Sequence, residues 1–144
     1  MLTAPEVARA RAWLAEADPD EAHAHRWLTQ TTIIMLPIGY KWAIIRAPET
    51  AGRAAIAAGI TGPVICDHGI CYFLVPRSTP HTWTPVRAVE CLGDACWLTV
   101  PAPTRAAPPG PHWLIPPDGT GVLCDARALH ASLLSELGHR TDER

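Results

Sequence analysis

The chain has 144 residues, of which 48% are hydrophobic and 18% are charged. This composition excludes a disordered chain and predicts one packed domain that spans residues 1–144. The formal net charge of −2 excludes a global positive field, so binding of nucleic acid would need a local basic patch.

The sequence carries no pattern typical of export or of a membrane protein. Charged side chains such as Glu6 and Arg9 interrupt the N-terminal residues, and no segment approaches the roughly 20 apolar residues of a membrane span. The five cysteines are an odd number. We therefore expect a cytoplasmic protein with reduced thiols, without structural disulfides and without a membrane partner.

Helical patterns occur at both ends of the chain and once inside it. Thr3 and Glu6 form a capping box ahead of an apolar stripe at helical spacing. Near the other end, Asp125 precedes a stripe of leucines that Gly138 closes. The predicted helices cover about residues 4–17, 21–30, 48–58 and 126–137.

Runs of β-branched and apolar residues predict the strands. The predicted strands cover residues 32–36, 42–46, 64–66, 70–75, 86–91, 96–100 and 112–115. We expect the first two to form a hairpin or tight strand pair across Pro37–Tyr40, and the next two to form a hairpin across Asp67-His68-Gly69. These elements predict an α+β fold with a mostly antiparallel sheet of about six or seven strands and helices packed on it.

Three segments in the second half of the chain carry short motifs. Gly93–Pro103 reads Gly-Asp-Ala-Cys-Trp-Leu-Thr-Val-Pro-Ala-Pro, Gly69–Phe73 reads Gly-Ile-Cys-Tyr-Phe, and Gly110–Trp113 reads Gly-Pro-His-Trp. In order and spacing these segments resemble conserved elements of the bifunctional DNA primase/polymerase family. The resemblance covers about residues 40–116 and implies a primase/polymerase-like fold.

The same resemblance implies two-metal phosphoryl transfer, in which paired carboxylates hold two divalent cations. Those acids should lie at the end of the strand at 42–46, but residues 41–48 contain no Asp or Glu. The family's nucleotide-contacting histidine aligns with Ile70, and of the family's acids only the last has a counterpart, Glu90. The chain thus looks like a short, degenerate member of the family, without catalytic residues and without a cofactor.

A rebuilt enzyme site is one alternative. Glu90, Asp67 and His68, together with Asp94, lie at adjacent predicted hairpin ends, where they could converge. Such a cluster would suit a nucleotidyl or phosphoryl transferase that depends on Mg²⁺.

A small zinc-stabilised structural protein is another alternative. The candidate ligands are Cys66, Cys71, Cys91 and Cys96. The four-residue gap within each pair is at the loose end of zinc-ligand spacing, and three of the four lie in apolar runs, so burial in the core is the favoured interpretation. Cys124, beside the cap of the last helix, is likewise interpreted as an ordinary boundary cysteine, since no base such as His130 or His112 is secured near it.

Aromatic side chains near loop arginines suggest an interface for single-stranded nucleic acid. The candidate patch consists of Trp83, Arg77, Arg87 and Arg105. Trp97 and Trp113 are further candidate stacking platforms. Packing of these rings in the core is the favoured interpretation, because stacking platforms normally accompany a basic groove.

Taken with the missing acidic pair, these patterns predict a non-catalytic, primase/polymerase-like binding module in replication or regulation. It would bind an unidentified protein partner or, weakly, a single-stranded nucleic acid or nucleotide, and a homodimer is an alternative. A further option is a structural partner protein that docks through the proline-rich loop 101–111.

Overall fold

The computed structural model describes residues 2–139, and this part of the chain contains four α-helices and seven strands. The helices are α1 (Ala4–Ala15), α2 (Glu21–Gln30), α3 (Glu49–Ala57) and α4 (Ala126–Leu137). The strands are β1 (Ile33–Ile38), β2 (Trp42–Pro48), β3 (Val64–Asp67), β4 (Ile70–Pro76), β5 (Glu90–Leu92), β6 (Cys96–Pro101) and β7 (His112–Ile115). The predicted α+β class is confirmed.

The predicted helix caps are present. Glu6 N donates to Thr3 Oγ1 at 3.3 Å and Thr3 N donates to Glu6 Oε1 at 2.8 Å, which completes the capping box of α1. Asp125 Oδ1 accepts from two backbone N–H groups of the first turn of α4, and Gly138, with φ +82°, ends that helix.

Five antiparallel strands form the main sheet, in the order β5-β2-β4-β3-β7. β2 is its most buried strand, with Trp42 to Ile45 buried without interruption. It pairs with β4 on one side, where Ile45 faces Phe73, and with β5 on the other, where Ile45 faces Cys91. A strand buried on both faces needs a covering layer on each side of the sheet.

Helices α3 and α4 cover one face of the sheet, where Ala51 and Leu133 pack on Ile45 and Phe73. The other face packs against a second, two-stranded sheet of β1 and β6, here called the ribbon, together with α1 and α2. Leu36 and Leu98 of the ribbon lie in this second core with Ile44 of the sheet.

The prediction that the first two strands form a hairpin is wrong. β1 pairs with β6, with Met35 opposite Thr99, and not with β2. The turn at Gly39, whose N–H donates to Trp42 O at 2.8 Å, carries the chain from the ribbon into the main sheet. The reason is burial: β2 is central to the sheet and has partners on both sides, whereas β1 is buried on one face only.

Two further predictions on strands have different outcomes. The hairpin of β3 and β4 is confirmed: its turn residues His68 and Gly69 have φ +50° and +79°, as a two-residue type I′ turn requires. The predicted strand 86–91 is reduced to Glu90–Leu92, because Ala88, with φ +63°, interrupts the extended backbone before it.

Among the residues that the structure describes, no helix combines the length and the apolar character needed to cross a bilayer.

A close contact between α3 and the sheet gives a stability prediction. A Cβ atom at Gly52 would lie 2.5 Å from Cys71 Sγ, so we expect Gly52→Ala to lower the free energy of unfolding by about 1–3 kcal/mol. Helix propensity alone would raise it by about 1 kcal/mol. Urea unfolding followed by circular dichroism measures the difference.

A Cβ at Gly52 would also lie 2.7 Å from Cys71 Cβ, so the matched control is the double variant Gly52→Ala/Cys71→Gly, compared with Cys71→Gly alone, in which both of these atoms are gone. We expect the Gly52→Ala penalty to disappear in that background. A stabilising effect of Gly52→Ala in the wild-type background would contradict the packing described.

Candidate functional site on the β1–β6 ribbon

The outward side of the ribbon is an exposed apolar surface. Along β1 the side chains alternate, with Ile34, Leu36 and Ile38 buried in the core. The residues between them, and their partners on β6, point away from the core. This surface, which we call the ribbon face, consists of Ile33, Met35, Pro37, Trp97 and Thr99.

Large apolar side chains on this face are open to solvent. Trp97 is 61% exposed, Met35 53% and Ile33 43%. Trp27 of α2 stands beside them and is 45% exposed. Together they present on the order of 500 Å² of apolar surface, which is at the upper end of the largest patch on a typical monomer and is often functional.

A groove runs between α2 and the ribbon. Its volume is about 370 Å³, and its lining is His23, Trp27, Ile33, Ile34, Met35 and Thr99. Polar contacts fix its wall, because Trp27 Nε1 donates to His23 Nε2 at 2.7 Å and His23 Nδ1 lies 3.7 Å from Asp18 Oδ2. The result is a concave apolar groove with a preformed wall.

On its other side Trp97 borders a smaller, polar cleft between the ribbon and the main sheet. The cleft has a volume of about 240 Å³, and Arg46, Asp67 and Tyr72 contribute its polar groups. Arg46 faces Tyr72 on β4 and Glu90 on β5. Hydrogen bonding to Tyr72, and then to Glu90, raises the pKa of the Arg46 guanidinium.

Arg46 occupies the strand end where the resemblance called for metal-binding acids. Its Nη1 lies 2.7 Å from Glu90 Oε1, so the one carboxylate with a counterpart in the family pattern is paired with a guanidinium. Both side chains are about half exposed, and such a pair contributes only about 0–1 kcal/mol. The pair matters for metal binding, because the Arg46 guanidinium places a positive charge where a metal cation would have to bind.

The candidates for a rebuilt enzyme site are partly brought together. Asp67 lines the cleft with Arg46, and His68 Nδ1 lies 2.6 Å from Asp67 Oδ1, although the His68 side chain is 86% exposed. Asp94 is at the other end of β5, where a Cβ at Gly39 would collide with it. The four residues therefore do not form one cluster.

The residues proposed for nucleic-acid binding are spread over three places. Arg77 donates to Tyr40 O at 3.4 Å, the Arg87 backbone N–H donates to Gly138 O, and Arg105 Nε donates to Pro111 O at 2.9 Å. Trp83 is half-buried and packs edge-on against His130, with the ring centroids 4.8 Å apart. These side chains do not combine into a basic groove.

Arg105 has a structural role in the proline-rich loop. Besides Pro111 O, it donates to Pro109 O, and its own carbonyl accepts from Trp113 N at 2.8 Å. Trp113 is buried, and its Nε1 donates to Pro101 O. The loop is thus tied to the domain at both ends, and its exposed residues are Thr104 and residues 106–109.

The four cysteines considered for zinc do not meet. Cys66 and Cys71 are partners across the β3–β4 hairpin, but Cys91 lies on β5, at the opposite edge of the sheet, and Cys96 belongs to the ribbon. Within residues 2–139 no group of three or more His, Cys, Asp or Glu side chains has a geometry suited to a metal ion.

Burial keeps most of these thiols protonated. It raises the pKa of Cys71 to about 12 and that of Cys91 to about 11, and it also raises the pKa of Cys66, where a hydrogen bond to Glu49 adds to the effect. Cys124 has a pKa raised to about 12 by burial, and its Sγ lies 3.4 Å from Pro63 O. These groups are core residues without nucleophilic activation.

Comparison with protein-family models, with curated proteins and with solved structures found no match for this chain.

Sequence reasoning did not single out Trp27, Ile33 and Met35 as site residues. A signal was present: the run Ile33-Ile34-Met35-Leu36 is apolar at every position, whereas a strand that faces solvent on one side normally alternates. With only one side of this strand in the core, the other side is left apolar and exposed.

The pKa shifts predict slow thiol chemistry in the folded protein. A thiol with a pKa of about 12 is only about 10⁻⁴ thiolate at pH 8, so Cys71 and Cys124 should resist iodoacetamide at that pH. Their labelling should quicken about tenfold from pH 8 to pH 9 as long as the fold persists.

Peptide mass spectrometry after timed labelling reads out each cysteine separately. The control is the same reaction in concentrated guanidinium chloride, where all five cysteines should label. Complete labelling of Cys71 or Cys124 within minutes in the native protein at pH 8 would contradict their burial.

Proposed function

We propose that this protein is a non-catalytic interaction module that binds a protein partner through the ribbon face. One observation carries the proposal. Both faces of the five-stranded sheet are covered, but the ribbon buries one face and leaves Trp97, Met35 and Ile33 exposed on the other. An apolar sheet face without a covering layer is the typical surface of a docking site.

The composition of the ribbon face suits a protein ligand. Interface cores are enriched in Trp and Met and depleted in charged residues, and none of the five described residues that form this face is charged. The neighbouring groove offers a concave pocket for an anchoring side chain.

The proposal includes descent from the primase/polymerase family. The support for descent is the arrangement of residues around the polar cleft. The two positions that the resemblance aligns with family residues, Glu90 and Ile70, lie beside the end of β2, where it places the acidic pair: Glu90 is opposite Arg46 and Ile70 is opposite Pro48. This grouping supports a retained site architecture in which Arg46 has replaced the metal-binding acids.

Nucleobase binding is the second candidate, because Trp97 is also one wall of the polar cleft. An exposed indole beside Asp67, Tyr72 and Arg46 could stack a base and hydrogen-bond its edge. The Asp67 carboxylate lines the cleft, and the Arg46 guanidinium is already paired with Glu90. These charges disfavour phosphate groups, so a neutral base fits better than a nucleoside triphosphate.

The absence of a metal-binding acidic pair predicts that the purified protein synthesises no primer and turns over no nucleotide with Mg²⁺ or Mn²⁺. The assay is incorporation of labelled nucleotides on a single-stranded template. The control is the double variant Asp67→Ala/Glu90→Ala, which reports contaminating polymerase. Activity in the wild-type protein that the double variant lacks would overturn the proposal.

Docking on the ribbon face is tested by a photo-crosslinking amino acid at position 35, introduced in the native host. The matched control is the same amino acid at position 122, because Val122 and Met35 are equally exposed, at 53%. We expect discrete adducts from position 35 that resist nuclease and in which mass spectrometry identifies crosslinked peptides of a protein partner, and none from position 122.

Two outcomes would contradict the proposal. Equal adducts from both positions would indicate non-specific contact, and nuclease-sensitive adducts from position 35 alone would favour the nucleobase candidate.

A further inference from the structure

We infer that the partner on the ribbon face is a second copy of this chain, and that each copy inserts Trp97 into the groove of the other. This inference rests on the proposed function and names its partner. Two features of the molecule carry it: a protruding ring and a groove lie on one surface, and that surface lacks charge.

The protruding ring and the groove lie side by side on the ribbon face. Trp97 is the most exposed of the large apolar side chains described, at 61%, and it stands opposite Pro37 in the register. The groove begins two residues along the strands, where Met35 faces Thr99. Its volume of about 370 Å³ leaves room for an indole, since pockets for whole small ligands begin at about 300 Å³.

Twofold symmetry matches this arrangement. In an isologous contact, residue i of one copy meets residue j of the other, and j meets i. Consider a twofold axis that lies in the plane of the interface, runs across the strands and passes between Trp97 and the groove. Rotation about this axis places the second copy on top of the first with its strands in the reverse direction. Each Trp97 then faces the groove of the opposite copy, so one surface supplies both halves of the contact.

Charge does not oppose self-association. Two identical faces that carried charge would bring like charges together, but the ribbon face consists of apolar residues and one threonine. Asp18, which lies 3.7 Å from His23 at the groove wall, is not part of the ribbon. Docking of a second copy therefore desolvates no charged side chain of the ribbon face.

The size of the face sets the expected strength. The ribbon face and Trp27 together present about 500 Å² of apolar surface per copy, so two copies bury about 1,000 Å², slightly below the lower limit of about 1,200 Å² for standard specific complexes. We therefore expect a reversible dimer with a dissociation constant on the order of 1–100 μM.

Sedimentation equilibrium of the full chain over this concentration range tests the inference. Trp97→Ala removes the inserted ring, and Met35→Lys places a charge in the floor of the groove. We expect each to weaken dimerisation at least tenfold. The matched control, Val122→Ala, removes an equally exposed side chain outside the face and should leave the dissociation constant unchanged.

Mixing the two variants distinguishes reciprocal insertion from non-specific adhesion. The Trp97→Ala chain keeps an intact groove and the Met35→Lys chain keeps its Trp97, so a mixed dimer retains one of the two contacts and each homodimer retains none. We expect the mixture to associate more tightly than either variant alone. Equal association of the mixture and the separate variants would overturn reciprocal insertion.

A wild-type chain that stays monomeric up to millimolar concentration would overturn the second copy as partner. It would leave the proposed function standing if the position 35 crosslinker still captures a protein whose mass differs from this chain. If the chain neither dimerises nor crosslinks to a protein from position 35, the ribbon face is not a docking surface.

Discussion

The burial of β2 on both faces is the constraint on which the rest of the structure depends. Ile44 faces one core and Ile45 the other, so the main sheet needs a layer on each side. Helices α3 and α4 form one layer. The other includes the ribbon, which contributes its own buried side, Leu36 and Leu98, to the core. A two-stranded ribbon that covers a sheet has an outer side as well, and no other element of residues 2–139 packs on that outer side. The exposed apolar face is a consequence of how the core is closed.

The sequence predicts the elements well, because their signals are local. The capping box at Thr3 and the turn at His68-Gly69 each depend on residues a few positions apart. The pairing of strands is not local. Nothing in the residues around Pro37–Tyr40 says that β1 pairs with a strand some 60 residues away, and the turn composition there favours the hairpin that does not form. The division into two sheets was therefore beyond what periodicity could predict.

The candidate site shows the same limit. Glu90 could be named from the sequence, but its ion pair with Arg46, and the resulting positive charge at the strand end, required the register of β2 with β5. The cysteines illustrate both cases. Cys66 and Cys71 face each other because they flank one hairpin, whereas Cys91 and Cys96, at the same spacing, fall into different sheets. Spacing predicts proximity only when a hairpin joins the two positions.

Methyl NMR of methionine tests the central claim most directly. The chain has two methionines, Met1 and Met35, so a ¹³C-methyl-labelled sample gives a simple spectrum in which the Met35 signal, from the centre of the ribbon face, is assigned by its loss in the variant Met35→Leu. Docking of a second copy predicts that the Met35 signal shifts and broadens with protein concentration and becomes protected from a paramagnetic cosolute. A Met35 signal that stays unchanged to millimolar concentration and remains fully accessible to the cosolute would contradict docking of a second copy on this face.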